Sequence, residues 1–174
     1  MAVAPQKFRE VVFQLLYAHD LGRGTDDDML NLIAQELELS KKNVKEAQAR
    51  VHLVLAELDK IDALIAKTSH SYAFERIQTV ERNILRLGVY ELLNDPLVPN
   101  AVAIAEALRL ARKFSTKESA LFVNAILDAI HKSMVGEKPD EALLSKSIEA
   151  LVQVEEVSEE AAKNSLSKDR EQEK

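Results

Sequence analysis

Apolar residues recur at intervals of three and four positions along most of this chain, the spacing that places side chains on one face of an α-helix. The pattern is strongest in residues 80–130, where it predicts three helices joined by two short connections. Because the same periodicity continues on the N-terminal side of this segment, we expect an all-α protein.

The N-terminal part of the pattern predicts two helices before residue 40. The first begins near Pro5, whose fixed φ suits the first turn of a helix, and ends at Gly22 and Gly24. The second has an acidic cap and first turn at residues 26–28 and continues to about Leu39. The buried stripe of the first helix is predicted at Phe8, Val11, Val12, Leu15 and either Ala18 or His19.

A longer third helix is predicted over residues 41–67, with Ser40 in position to cap its N-terminus. The inward-facing seam of this helix is predicted at Val44, Ala47, Val51, Val54, Leu58, Ile61 and Ile65. Because the spacing of three and four continues through all these positions, we expect one helix that packs along a bundle. Residues 68–78 are rich in Ser, His and Tyr and predict a break.

Two further helices follow this break. The first begins at Thr79 and carries Glu81 in its first turn, where a carboxylate interacts favourably with the helix dipole. Its interior contains Gly88, which costs about 1 kcal/mol relative to alanine and therefore indicates a close crossing with another helix. Asn100 is predicted to cap the second helix, which extends to Phe114.

The last core helix is predicted to begin with a capping box formed by Ser115 and Glu118. Core candidates in these last two helices are Val102, Leu108, Ala111, Leu121, Phe122, Ala125, Ile126, Ala129 and Ile130. With one amphipathic helix after Pro139, the pattern predicts a compact bundle of about seven helices.

Charge is distributed unevenly along the chain. The formal net charge is −6, but residues 1–136 carry 17 Lys and Arg against 18 Asp and Glu, whereas residues 137–174 carry 6 against 11. A nearly neutral body can present a local basic face. We therefore expect a helical domain at residues 1–135 and an acidic C-terminal extension at residues 136–174. We expect disorder from Glu155 onward, and we expect the extension to shield the basic face.

Residue types that support catalysis or metal binding are sparse. The chain contains no Cys, which excludes disulfides and thiolate sites. Asp128 and His131 lie one helical turn apart, but a metal site in a helical bundle takes similar pairs from other helices. We therefore expect no enzymatic activity, no cofactor and no metal site. No uncharged run approaches the roughly 18 residues of a membrane span, so we also expect no membrane segment.

RNA binding requires cations for phosphates and exposed groups for unstacked bases. Lys7 and Arg9 lie in the first turn of the first predicted helix. The alternative for each is an ordinary solvated helix face. Further basic residues, separated from these in sequence, are Arg82, Arg86, Arg109, Arg112, Lys113 and Lys117.

A family resemblance extends over nearly the whole chain to about Ser133. The segment VERNILRLGVYELL at residues 80–93 has the V-E-[RK] start and Y-E-L end of a helix in the NusB family. Near the N-terminus, Arg9-Glu10 and Gln14-x-Leu16-Tyr17 are similar to another family motif. Further matching positions are Val98, Pro99, Phe114, Ser119, Phe122, Val123, Asn124, Leu127 and Asp128.

The resemblance implies an all-helical fold of two small sub-bundles, with the first helix shared in packing. It implies a cytoplasmic, non-catalytic protein that binds boxA RNA of ribosomal RNA transcripts together with NusE, a small-subunit ribosomal protein. Acting with the transcription elongation complex, such a protein suppresses premature termination; the oligomeric state, monomer or homodimer, stays open. Carried over by position, the implied RNA-binding residues are Lys7, Arg9, Glu118, Ser119 and Phe122, and the implied NusE-binding residues are Glu81 and Tyr90.

Several positions depart from the family pattern, and they define an alternative function. The departures are Asn100 for Tyr, Ala105 for Asn, Ala120 for His and Leu121 for Lys. Because the last two remove polar or charged groups from the implied RNA surface, the alternative is a helical protein-interaction adaptor with weakened RNA binding. The implied site residues also have structural explanations: Glu81 can serve the helix dipole, and Tyr90 and Phe122 can belong to the core.

Overall fold

The computed structural model describes residues 3–23 and 27–172, with side chains as far as residue 165. The helices in these ranges are α1 (Pro5–Asp20), α2 (Asp27–Glu36), α3 (Lys41–Ala56), α4 (Leu58–Thr68), α5 (Thr79–Asn94), α6 (Asn100–Phe114), α7 (Lys117–Met134) and α8 (Glu141–Gln172). A 3₁₀ turn at Phe74–Arg76 lies between α4 and α5. The predicted all-α fold is confirmed, and the described part of the chain contains one α-helix more than expected.

The first helix follows its predicted pattern closely. α1 packs against α3 and against α5, so it contacts both an early and a later helix of the chain. Its predicted stripe is buried from Val11 onward, and Ala18 is buried whereas His19 is exposed, which decides between those two residues. Gly22 has φ +71° and ends the helix in the left-handed conformation that favours glycine. Gly24 and the predicted cap at residue 26 lie outside the described residues.

The segment predicted as one long helix is two helices, α3 and α4. Ser40 caps α3 as predicted, since its hydroxyl accepts a hydrogen bond from the Asn43 N–H at 3.2 Å. The break lies at Glu57, whose backbone (φ −103°, ψ 10°) departs from helical values. α3 then packs mainly against α1 and α2, with a smaller contact to α5, whereas α4 packs against α5 and α7. Apolar spacing continues across the break, so periodicity alone could not reveal it.

α5 is the central helix of the fold and packs against α1, α4, α6 and α7. Its Gly88 faces α6 and α7: a Cβ placed there would lie 3.0 Å from Leu127 Cδ1 and 3.5 Å from Ala107 Cβ. This close approach explains a glycine in a helix interior, and it confirms the predicted helix crossing.

The start of α7 differs from the prediction by one residue. Thr116, not Ser115, is the N-cap, and its hydroxyl accepts a hydrogen bond from the Ser119 N–H at 3.1 Å. The capping box predicted for Ser115 and Glu118 is therefore wrong. The shift leaves the Ser115 hydroxyl available for contacts with α5.

Four side chains of α6 and α7 also differ from the prediction, and one of them, Leu108, was predicted in the core but is only half-buried. Asn100 is the first helical residue of α6 and follows Pro99, the N-cap, so it does not cap the helix. Val102 and Leu121, both predicted in the core, are exposed, the latter at 46%. Each lies at the border of an apolar stripe, where helical spacing does not distinguish the core from the edge.

The acidic extension is helical where we expected disorder. α8 continues to Gln172, so the prediction of disorder from Glu155 is wrong within the described residues. Leu144 and Ile148 are buried and α8 packs against α7, which confirms the predicted amphipathic segment. Although α8 is long enough to span a bilayer, no helix in the described ranges is apolar enough to cross a membrane.

Candidate nucleic-acid and partner interface

Arg9, implied in RNA binding by the resemblance, lies in the interior. Its residue exposure is 8%, and its Nε donates to Glu91 Oε1 at 2.8 Å. Its Nη1 also lies 3.9 Å from Glu106 Oε2. Burial raises the pKa of the Glu91 carboxyl, and the neighbouring Arg9 opposes that shift. Arg9 therefore joins α1 to α5 and α6 and does not support an RNA contact.

Lys7, by contrast, is accessible at the start of α1. It is half-buried and makes no hydrogen bond or ion pair with any residue that the structure describes. It lines a shallow depression that also contains Lys113 and the carboxylates of Glu10, Glu36 and Glu38. The surface around Lys7 is thus of mixed charge.

Two cations of α6 extend this surface. Arg109 Nη1 donates to Glu10 Oε1 at 2.6 Å, and Lys113 Nζ donates to Glu10 Oε2 at 2.8 Å. Burial alone would raise the pKa of Glu10, but the hydrogen bonds from Lys113 and Arg109 hold it below its usual value. Glu10 thereby holds Arg109 and Lys113 beside Lys7, and we call these three cations the α1–α6 face.

Sequence reasoning did not identify this grouping, although it contained a signal for it. Arg109 and Lys113 lie four residues apart and so share one side of α6. Two cations on one helix side indicate a local basic patch, but only the packing identifies their partner Glu10, which is about 100 positions away in sequence.

Arg82 and Arg86 do not join the α1–α6 face. Arg82 donates to Asp20 Oδ2 from Nε at 2.9 Å and from Nη2 at 2.8 Å. Arg86 makes a two-pronged contact with Asp62, at 2.8 and 2.7 Å. Asn83 Nδ2 adds a further hydrogen bond to Asp20 at 2.9 Å. These ion pairs connect α5 to the end of α1 and to α4.

The Asp20 network predicts a loss of stability in acid. Burial raises the pKa of Asp20, but the hydrogen bonds from Arg82 and Asn83 outweigh it and lower the pKa below its usual value. A lowered pKa stabilises the folded state above pH ~4, and the stabilisation disappears as pH falls through the folded-state pKa. Asp20→Asn should therefore cost roughly 1–3 kcal/mol at pH 7 and lose less stability on acidification than the wild type.

Urea unfolding at a series of pH values measures this difference. Asp59→Asn, which changes an exposed carboxylate of α4, is the matched control and should follow the wild-type curve. Parallel pH curves for the wild type and Asp20→Asn would contradict the assignment.

A polar cluster connects the start of α5 to the start of α7. The Ser115 hydroxyl donates to Glu81 Oε1, and the hydroxyls of Ser115 and Thr116 each lie 3.0 Å from Ser119 Oγ. Glu81 is only 4% exposed, and its Oε2 is buried without a hydrogen-bond partner in the described part of the chain. A buried carboxylate oxygen without a donor is costly, so this cluster can accept a hydrogen bond from another molecule.

This cluster of Glu81, Ser115, Thr116 and Ser119, which we call the Glu81 cluster, forms part of the wall of a pocket of about 510 Å³. The pocket lies among the 3₁₀ turn, α5, α7 and α8, and its charged lining residues are Glu75, Arg76, Glu81, Glu155 and Glu159. Since carboxylates outnumber cations, the pocket suits a basic side chain better than an RNA phosphate. Glu118, implied in RNA binding, is half-buried beside Ser119, which is itself buried.

The two implied aromatic site residues are largely inside the protein. Phe122 is 0% exposed, and its ring meets Tyr72 edge-on at a centroid distance of 5.6 Å. Because a base cannot stack on a ring that is buried in this way, the structure gives Phe122 a place in the core, and its RNA contact stays a prediction. Tyr90 is buried as well, with the Arg50 guanidinium 5.6 Å from its ring centre. Both positions agree with the alternative that they belong to the core.

The residues considered for metal binding have other partners. Asp128 pairs with Lys132 at 2.9 Å, and His131 Nδ1 lies 3.3 Å from Asn100 Nδ2. Within the described ranges, no three His, Cys, Asp or Glu side chains are grouped so that they could hold a metal ion.

Comparison with known proteins adds the family. The model of the NusB family matches residues 6–132. A transcription antitermination protein NusB from a Nitratiruptor species is 42% identical over 126 residues, which cover 72% of this chain and 90% of that protein. A second such protein, from Chlamydia pneumoniae, is 34% identical over 125 residues, covering 72% of this chain and 78% of the relative.

Solved structures agree with the sequence relatives. NusB from T. maritima superposes with a TM-score of 0.64 at 32% identity, covering 83% of this chain and 99% of the other. A chain from a crystal structure of the antitermination factors NusB and NusE in complex with double-stranded RNA superposes with a TM-score of 0.63 at 28% identity. That match covers 74% of this chain and 96% of the solved one.

Proposed function

Because this chain belongs to the NusB family of transcription antitermination proteins, which are not enzymes, we propose that it is an RNA-binding antitermination factor. It binds boxA-type RNA of ribosomal RNA transcripts together with NusE. With the elongation complex it then suppresses premature termination in the cytoplasm. The observation that carries this proposal is the family match over residues 6–132, and the solved complex of a relative with NusE and RNA supports the two kinds of partner.

The RNA surface is assigned to the α1–α6 face within residues 1–135. Lys7 lacks an ion-pair partner among the described residues, and Lys113 is half exposed beside it, so both can reach phosphates. Glu118, which the resemblance also implies in RNA binding, lies half-buried in the first turn of α7. Arg9 is buried beneath the α1–α6 face, where it lies 3.9 Å from Glu106 of α6, whereas the buried Ser119 and Phe122 lie at the Glu81 pocket.

The NusE contact is assigned to the Glu81 cluster. The unpartnered Oε2 of Glu81 and the neighbouring carboxylate of Glu75 favour a donor or cation from a protein. Tyr90 contributes through packing, since its ring is buried under Arg50.

The second candidate function is a protein-interaction adaptor with weakened RNA binding. Mixed charge around Lys7 favours it, because Glu36 and Glu38 reduce the attraction for phosphates. The exposed Leu121 favours it too, since this side chain adds no charge at a position where the family has Lys.

Titration of boxA RNA with and without NusE tests the proposed function. We expect NusE to strengthen binding, and we expect boxA RNA to bind more tightly than a scrambled RNA of the same length. Lys7→Ala should weaken binding and reduce the slope of log affinity against log salt by about 0.7, the value for one lost single-strand phosphate contact.

Lys60→Ala is the matched control, because Lys60 is an exposed cation of α4 on another part of the surface. It should leave the salt slope unchanged. Equal affinity for boxA and scrambled RNA with no effect of NusE would refute the proposed function. Retained NusE binding without salt-dependent RNA binding would instead establish the adaptor.

A further inference from the structure

α8 lies beyond residues 6–132, the segment that the family model matches, and it contacts the partner side of the molecule. The acidic extension was expected to shield the basic face. Instead, its described side chains contact Tyr72 and Arg76, near the Glu81 cluster. The function of α8 therefore concerns the Glu81 pocket.

Glu155 fastens α8 to the body of the protein. Its Oε2 accepts a hydrogen bond from Arg76 Nη2 at 2.6 Å, and its Oε1 accepts one from the Tyr72 hydroxyl. Arg76 also lies over the Tyr72 ring at 4.6 Å from its centre. One carboxylate thus joins α8 to the segment that leads into α5.

The same turns of α8 form the outer wall of the pocket. Leu151, Val154, Glu155, Ser158 and Glu159 line it opposite Glu81 and Ser119. A partner that hydrogen-bonds to Glu81 Oε2 would have to occupy the space bounded by this wall, because that oxygen is inaccessible in the present arrangement.

The outer half of α8 is held by few contacts. Leu144 and Ile148 are buried near its start, but all described side chains from residue 156 to residue 165 are exposed, including Val157 at 67%. A segment with little buried apolar surface opens at low free energy while the rest of the protein stays folded. Release of the Glu155 contacts would therefore free the wall of the pocket without unfolding α7.

We propose that α8 is an intramolecular cover of the Glu81 pocket, fastened by Glu155, and that a protein partner displaces it to reach Glu81. The proposal rests on the proposed NusE contact and adds its regulation. Since the covered state does not bind, the apparent affinity is the intrinsic affinity multiplied by the uncovered fraction. Whatever weakens the Glu155 contacts should strengthen partner binding.

Binding of purified NusE to the full-length wild type, Glu155→Ala and Glu156→Ala tests the cover. Glu156 is the adjacent exposed carboxylate, so its variant changes the net charge equally but leaves the fastening intact. Glu155→Ala should bind on the order of three- to fivefold more tightly, the effect of losing one partly exposed ion pair, and Glu156→Ala should match the wild type. Hydrogen exchange of the amides after residue 155 should accelerate in Glu155→Ala and in wild type saturated with NusE.

The possible failures are distinguishable. Equal NusE affinity for wild type and Glu155→Ala would overturn the cover and leave the proposed function standing. Weaker binding by Glu155→Ala would also overturn it, and would make α8 part of the docking surface. If neither the wild type nor any variant bound NusE, the proposed function itself would fail, and the cover with it.

Discussion

Arg9→Ala should lower the free energy of unfolding by about 3–5 kcal/mol, because it leaves a buried carboxylate without its cation. Arg9 and Glu91 are 8% and 4% exposed, and their side chains meet at 2.8 Å. Without Arg9, burial raises the pKa of Glu91 further, so the loss should be greatest at neutral pH and smaller in acid, where Glu91 becomes protonated. Urea unfolding at pH 7 and in acid measures both effects.

A double variant separates the structural role of Arg9 from RNA binding. Arg9→Met with Glu91→Leu removes both charges and keeps similar volume, so it should recover most of the stability lost in Arg9→Ala. If Arg9 serves only the interior, this variant should also bind RNA within about twofold of the wild type, whereas Lys7→Ala should not. A stable double variant that had lost RNA binding would place Arg9 back at the RNA surface.

Phe122→Ala should destabilise the protein by about 3–5 kcal/mol, the range for removing a fully buried aromatic ring. The ring is 0% exposed and packs edge-on against Tyr72, so its removal leaves a cavity beneath the Glu81 pocket. Chemical denaturation monitored by circular dichroism gives the difference directly.

The neighbouring residue supplies the control for this prediction. Leu121→Ala removes a side chain that is 46% exposed and should cost less than about 1 kcal/mol. Phe122→Leu keeps an apolar side chain in the core and should retain RNA binding, because the implied base contact is inaccessible. Normal stability of Phe122→Ala combined with loss of RNA binding would contradict the core assignment.

Helical periodicity predicted most of the fold because each helix buries one side. It identified the start of α5 at Thr79 and the buried positions of α1, and the single glycine of α5 indicated its close crossing. The break at Glu57 was not predicted, because α4 continues the apolar spacing of α3 although α3 packs mainly against α1 and α2 and α4 against α5 and α7. The helical structure of α8 was not predicted, because composition reveals the charge of a segment but not a specific contact such as that of Glu155 with Arg76.

The candidate site was less accessible to sequence reasoning because it depends on pairing between distant positions. Lys7 and Arg9 look equivalent in sequence, but only Arg9 meets a buried carboxylate from α5. The sequence allowed two roles for Glu81, a helix-dipole partner or a contact to another protein. Its position in the first turn of α5 suits the first role, and its oxygen without a hydrogen-bond partner among the described residues suits the second.

The long sequence separation of the Glu155 contact also determines the order in which the surfaces form during synthesis. Phe122, the last residue of α7 that lines the pocket, precedes Glu155 by 33 residues, which corresponds to about 2–7 s at a translation rate of about 5–20 residues per second. Helices α5 to α7 are complete before the ribosome reaches Glu155. If α8 acts as the proposed cover, a nascent chain presents the Glu81 pocket before Glu155 is synthesised, and a partner that binds during translation does not compete with α8.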